Sequence, residues 1–149
     1  MGVIATAVMT GFTDGIARAF RKPFHVVVIL SVMLRFKYVT DVESINPYRY
    51  SFAIIVHYGI GVIFAAVYVF LKIYTFGDSI LFGCIIGTIG IVGWRIFFAL
   101  HPGPPPIPLK GYLPTIWGGH IFLAIALYIL TRLCITSQHV SESIPICLM

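Results

Sequence analysis

This sequence predicts an all-α integral membrane protein. The expected fold is a four-helix bundle with helices at about 2–20, 51–71, 80–100 and 113–131, plus a short interfacial or re-entrant segment at 24–34. Two observations carry the expectation. The composition is 59% hydrophobic and only 10% charged, with a mean hydropathy of +0.99. Soluble domains are about 25% charged and roughly 45–50% apolar, and a chain of 149 residues has too little interior to hide such a surplus. The second observation is that the few charges fall between long apolar stretches. The formal charge of +5 therefore reads as a determinant of membrane orientation, and nucleic acid is not an expected partner.

The first helix, 2–20, has the length to cross but carries Thr6, Thr10, Thr13, Asp14 and Arg18. Thr6, Thr10, Asp14 and Arg18 recur every fourth residue, which stacks them on one helical stripe. Such a stripe suits a helix whose polar side is turned from lipid into a bundle. It starts at Met1 without a basic leader, so a cleaved secretion signal is not expected. The apolar run 24–34 is too short to span and is bracketed by Arg21 and Lys22 on one side and Arg35 and Lys37 on the other. An interfacial or re-entrant piece fits it.

The remaining three helices meet the requirement of about 20 residues for a ~30 Å hydrocarbon core. The stretch 51–71 has no charge and one titratable group, His57; 80–100 has one charge, Arg95; 113–131 has only His120. The triplet Gly77, Asp78 and Ser79 is expected to turn the chain between the second and third helices. The proline-rich run from His101 to Pro108 ends the third, because successive prolines lack backbone donors and favour extended geometry. Residues 1–136 read as one transmembrane domain and 137–149 as a short polar, disordered tail.

Orientation follows from the basic residues. Arg18, Arg21, Lys22, Arg35, Lys37, Arg49, Arg95 and Lys110 lie toward one side, and only Lys72 and Arg132 toward the other. That imbalance puts the longer loops in the cytoplasm and both termini outside. Small residues predict the seams: Gly83, Gly87 and Gly90 share one face of the third helix, and Gly61 and Ala65 one face of the second. In lipid, close backbone approach at such positions drives helix association. Tyr48, Tyr50, Tyr112 and Trp117 sit where an interfacial aromatic belt is expected.

Titratable residues form the candidate site. Counted from the apolar stretches, His57 and His120 lie ~9–10 Å inside the cytoplasmic boundary, and Asp14 and Arg95 ~8–9 Å inside it. One polar layer made by Asp14, His57, Arg95 and His120 is therefore expected, with Asp14 neutralised by Arg95 or Arg18. The plainer alternative is that the arginines snorkel and the histidines are satisfied structural residues. The second and fourth helices also echo one another, with His57, Gly61, Ala65 and Tyr68 matched by His120, Ala124 and Tyr128.

Ala5-Thr-Ala-Val-Met-Thr10, His57-Tyr-Gly-Ile-Gly-Val-Ile-Phe-Ala-Ala-Val-Tyr68 and the pair Gly119 and His120 resemble a broad group of small prokaryotic four-helix membrane proteins, collected as domains of unknown function. The resemblance implies four helices and a prokaryotic plasma membrane, and it implies no activity.

Cys84, Cys134 and Cys147 show no spacing for a disulfide framework or metal site, and Cys147 stands one position too late for prenylation. Phosphate-loop, dinucleotide, zinc-helix and nucleophile-elbow motifs are absent. The expected function is non-covalent: an accessory or assembly subunit, or a minor transport or proton-handling component. Its partners would be the bilayer and other membrane subunits or a second copy. No cofactor is required by this reading. One alternative is a haem b protein with His57 and His120 as axial ligands; another is a membrane-embedded enzyme acting on lipid.

Overall fold

A computed structural model describes residues 1–22, 24–34 and 47–140. Over these residues the fold is all-helical, with five helices and no strand. They are α1 (Gly2–Ala19), α2 (Val26–Met33), α3 (Pro47–Phe70), α4 (Phe76–Leu100) and α5 (Leu109–Val140). Three are long and apolar enough to cross a membrane: Pro47–Phe70, Phe76–Leu100 and Leu109–Ser137. The protein is thus a membrane protein by the length and apolarity of its helices. With eighteen residues and its polar stripe, α1 is not among those three. Arg35, Lys37 and Cys147, used or weighed above, lie outside the described residues.

Several boundaries differ from expectation, each for a local reason. α3 and α5 begin about a turn before their apolar stretches, because polar and aromatic residues such as Tyr48 and Lys110 continue the helix. The turn between α3 and α4 lies at 71–75, where Lys72 adopts a left-handed φ of 52°. Gly77, Asp78 and Ser79 belong to the first turn of α4, because Thr75 caps that helix by accepting the Asp78 backbone N–H at 3.1 Å. Residues 137–140, expected in the tail, continue α5; residues 141–149 are not described. His101 closes α4 as its C-terminal cap, and the proline run to 108 forms no helix or strand, bending at 102–103 and turning where the Ile107 N–H donates to the Pro105 carbonyl at 2.8 Å.

Helix α5 is the hub. α4 and α1 pack along it, α3 packs along α1, and α2 rests on α3. Glycine makes the α4–α5 seam. A Cβ on Gly83 would stand 2.9 Å from the Ile121 Cα, one on Gly87 2.8 Å from the Trp117 ring, and one on Gly90 3.0 Å from the His120 ring. The α1–α3 seam uses Gly2, whose Cβ would meet the Val62 Cα at 2.8 Å, and Gly61, whose Cβ would collide with the Thr6 hydroxyl. Ala65 is buried beside them. On the α1–α5 seam, Gly119 faces Thr13 and Met9, and Phe12 stacks on Phe122 with centroids 4.2 Å apart.

α3 and α4 behave differently. They meet near their connecting turn, where Tyr68 Oη and Ser79 Oγ lie 2.6 Å apart and Tyr68 stands edge-on to Phe82. At the opposite end, α2 wedges between them: Val27 and Leu30 pack with Ala53 of α3, and Trp94 and Phe97 of α4 lie against the same cluster. Tyr112, expected in an interfacial belt, is fully buried among Phe24, Trp94 and Phe98. Trp117 is likewise a packing residue over Gly87, with its Nε1–H donated to Thr88 Oγ1 at 3.3 Å. Tyr48 is exposed, as an anchor would be.

Candidate functional site

Pinning α3 to α4 at one end and wedging them apart at the other leaves a cavity of about 370 Å³ between them. α2 supplies its floor through Val26, Leu30 and Leu34. α3 contributes His57, Ile60 and Phe64, and α4 contributes Gly90, Trp94 and Phe97. Thr6 and Met9 of α1 and His120 and Leu123 of α5 close the back. The walls are almost entirely apolar, so the two imidazoles and the Thr6 hydroxyl stand out chemically.

The expected layer divides into two levels. With α3 starting at Pro47 and α5 at Leu109, His57 and His120 lie ~15 and ~17 Å along their helices. Gly90 lies ~15 Å before the end of α4, level with them. Asp14 and Arg95 are each five residues from the ends of α1 and α4, only ~8 Å in. The structure therefore brings His57 and His120 to one cavity and does not bring Asp14 to Arg95. Asp14 Oδ1 is paired instead with His25 Nδ1 at 3.0 Å, which ties α1 to the approach of α2. Arg95 is exposed and lines a separate groove with Lys110, beside Ile91, Leu109, Leu113 and Pro114. Arg18 is also exposed.

Hydrogen bonds orient both histidines. Thr10 Oγ1 donates its one hydrogen to the Thr6 carbonyl at 2.8 Å, so toward His57 Nε2, 3.0 Å away, it acts as acceptor. The His57 Nε2 therefore carries a proton and donates it to Thr10. His120 Nδ1 lies 2.8 Å from the Ile116 carbonyl oxygen, which can only accept, so Nδ1 is the protonated nitrogen there. Thr6 donates its own hydrogen to the Gly2 carbonyl at 2.7 Å. The threonine stripe of α1 is thus self-satisfied by bonds to preceding carbonyls and faces inward, as its spacing predicts.

Sequence reasoning found both histidines but missed their surroundings. Thr10 as the partner of His57 is a long-range pairing, and His25 as the partner of Asp14 is made across the turn after α1; no periodicity reports either. The aromatic walls, Phe64 and Trp94, look like ordinary bilayer-facing residues until the helices separate.

Among the described residues there is no group of three or more His, Cys, Asp or Glu side chains able to hold a metal ion. His57 and His120 alone could serve a haem. The Nε2 of His57 is engaged by Thr10, so ligation would fall to Nδ1 or cost that bond; the Phe64 ring stands edge-on to His120 at 5.8 Å. The cavity suits an apolar molecule with a small polar group better than a macrocycle. Comparison with protein-family models, with curated proteins and with solved structures found no match to this chain.

Proposed function

We propose that this chain crosses the membrane four times and holds a lipid-like molecule non-covalently in the cavity between α3 and α4, as a carrier or accessory component. The observation that carries this reading is the cavity itself, about 370 Å³ of apolar space with two histidines at mid-helix depth. Volumes of this order hold small-molecule ligands. In a bilayer, helix association depends on packing rather than on hydrophobic drive, so a gap between two helices joined only at one end forfeits contacts unless something fills it. A lipid-like molecule is the available filler.

The fourth crossing is α1. Its buried residues, including Ala5, Thr6, Met9 and Thr13, give it a bundle-facing side, and its threonine hydroxyls are bonded to its own backbone. Arg18, Arg21, Lys22, Arg49, Arg95 and Lys110 lie at or near the α1, α4 and α2 ends where α3 and α5 begin, and that end faces the cytoplasm in this reading. A plasma membrane with both termini outside follows. In a cysteine-free background, a cysteine at Tyr74 should react with an impermeant thiol reagent on intact cells, and one at Ile107 should not.

The cavity reading is tested by photo-crosslinking in nanodiscs with a diazirine-bearing hexadecanoic acid. Saturable labelling should map to cavity residues such as Ile60, Phe64 and Trp94. Gly93 lines the cavity and a Cβ there would meet nothing within 4 Å, so Gly93→Leu can occupy the space without a clash and should abolish that labelling. Labelling confined to outward residues such as Ile63, and indifferent to Gly93→Leu, would overturn the reading.

A further inference from the structure

We infer that the ligand of this cavity carries a hydrogen-bond donor, as an alcohol, a phenol or a protonated carboxylic acid does, and that it donates to Nε2 of His120. This inference rests on the cavity reading above.

Three polar side chains other than Trp94 line the cavity: Thr6, His57 and His120. Each neutral group has one polar hydrogen, and each has already placed it: Thr6 on the Gly2 carbonyl, His57 on Thr10, His120 on the Ile116 carbonyl. What they have left to offer is lone pairs. The indole N–H of Trp94 is the one donor among the lining side chains, four residues or ~6 Å along α4 from Gly90. A ligand whose polar end can only accept would leave its oxygen facing acceptors in an apolar surround, where an unmade hydrogen bond is costly. A ligand that donates would satisfy them.

His120 is the acceptor singled out by geometry. Its Nδ1 is spent on the Ile116 carbonyl, and its Nε2 makes no hydrogen bond among the described residues. Gly90, which also lines the cavity, lies against that edge of the ring: a Cβ there would stand 3.0 Å from Cε1 and 3.5 Å from Nε2. A methyl group at this position would press on Cε1, beside the nitrogen, and a longer side chain could cover the nitrogen itself. The glycine that lets α4 approach α5 thus also leaves the acceptor uncovered.

The test compares two probes in the same nanodiscs: diazirine-bearing hexadecanol and its methyl ether, alike except for the hydroxyl hydrogen. The alcohol should label the cavity about tenfold more tightly, the worth of one hydrogen bond. His120→Phe should remove the preference while both probes still label. Should that variant not assemble, Gly90→Leu keeps the imidazole and sets a side chain beside its Cε1 and Nε2 edge, and it should reduce the preference. Equal labelling by the two probes overturns the donor assignment and leaves the cavity reading standing. A preference that survives both substitutions overturns the assignment to His120. No labelling of cavity residues by either probe overturns the cavity reading itself.

Discussion

Helix α4 has two neighbours and treats them in opposite ways. Against α5 it presents Gly83, Gly87 and Gly90, and the helices approach until a methyl group would touch backbone or ring atoms. Against α3, its partner in a hairpin with a short turn, it makes a firm contact at Tyr68 and Ser79 and then diverges around α2. Sequence adjacency therefore does not decide which helices pack. In a bilayer the close seam goes where the glycines of α4 make room for the backbone and rings of α5, and the hairpin partner is left with a gap. One seam is closed; the other opens into the cavity.

Substitutions can break this contrast at its strongest point. Gly83→Leu should have the largest effect, about 3 kcal/mol or more, because the nearest atom is the Ile121 Cα and backbone cannot rotate aside as a side chain can. Loss of folded protein in size-exclusion chromatography checks it. Gly77→Leu serves as the control: nothing lies within 4 Å of a Cβ there, and its elution should match the parent protein. Equal loss at both sites would mean that α4–α5 closeness is not what holds the bundle.

The α1–α3 seam sharpens the comparison with a compensating pair. Gly61→Ala drives a methyl group into the Thr6 hydroxyl and should destabilise by about 1–3 kcal/mol in thermal aggregation assays. Adding Thr6→Ala removes the obstructing oxygen and should restore part of the loss, since contacting sites couple. Simple additivity would refute the contact.

Smaller effects are expected for the charged groups. Asp14 and His25 are 34% and 42% exposed, so Asp14→Asn should cost no more than about 1 kcal/mol. Asp14→Asn and Arg95→Gln should be additive in thermal aggregation, because Asp14 is paired with His25 and Arg95 lies in the groove with Lys110. Strong coupling between them would restore the single-layer arrangement expected from helix counting. Smallest of all is Gly93→Leu, which should change stability by no more than about 0.5 kcal/mol while blocking the cavity.

Much of the architecture was legible in residue order. The apolar lengths marked α3, α4 and α5; the four-residue spacing of Thr6, Thr10, Asp14 and Arg18 marked an inward face on α1 that holds for the threonines but not for the exposed Arg18; and the short run before Arg35 marked α2 as a piece apart. The glycine face of α4 was legible too, because helical period is a local property. The turn at 71–75 was misplaced because glycine outweighed the Thr75 cap in a reading by composition.

The sequence by itself determined the solvent, the helical class, the polar stripe and the faces on which close packing was allowed. Those are set by local chemistry and period, which need no partner. Only the tertiary structure decided that α4 seats on α5, that α2 holds α3 away from α4, and that His57 and His120 open into one cavity while Asp14 turns to His25. Each of these depends on two separate segments arriving at the same place, and neither segment carries a record of the other.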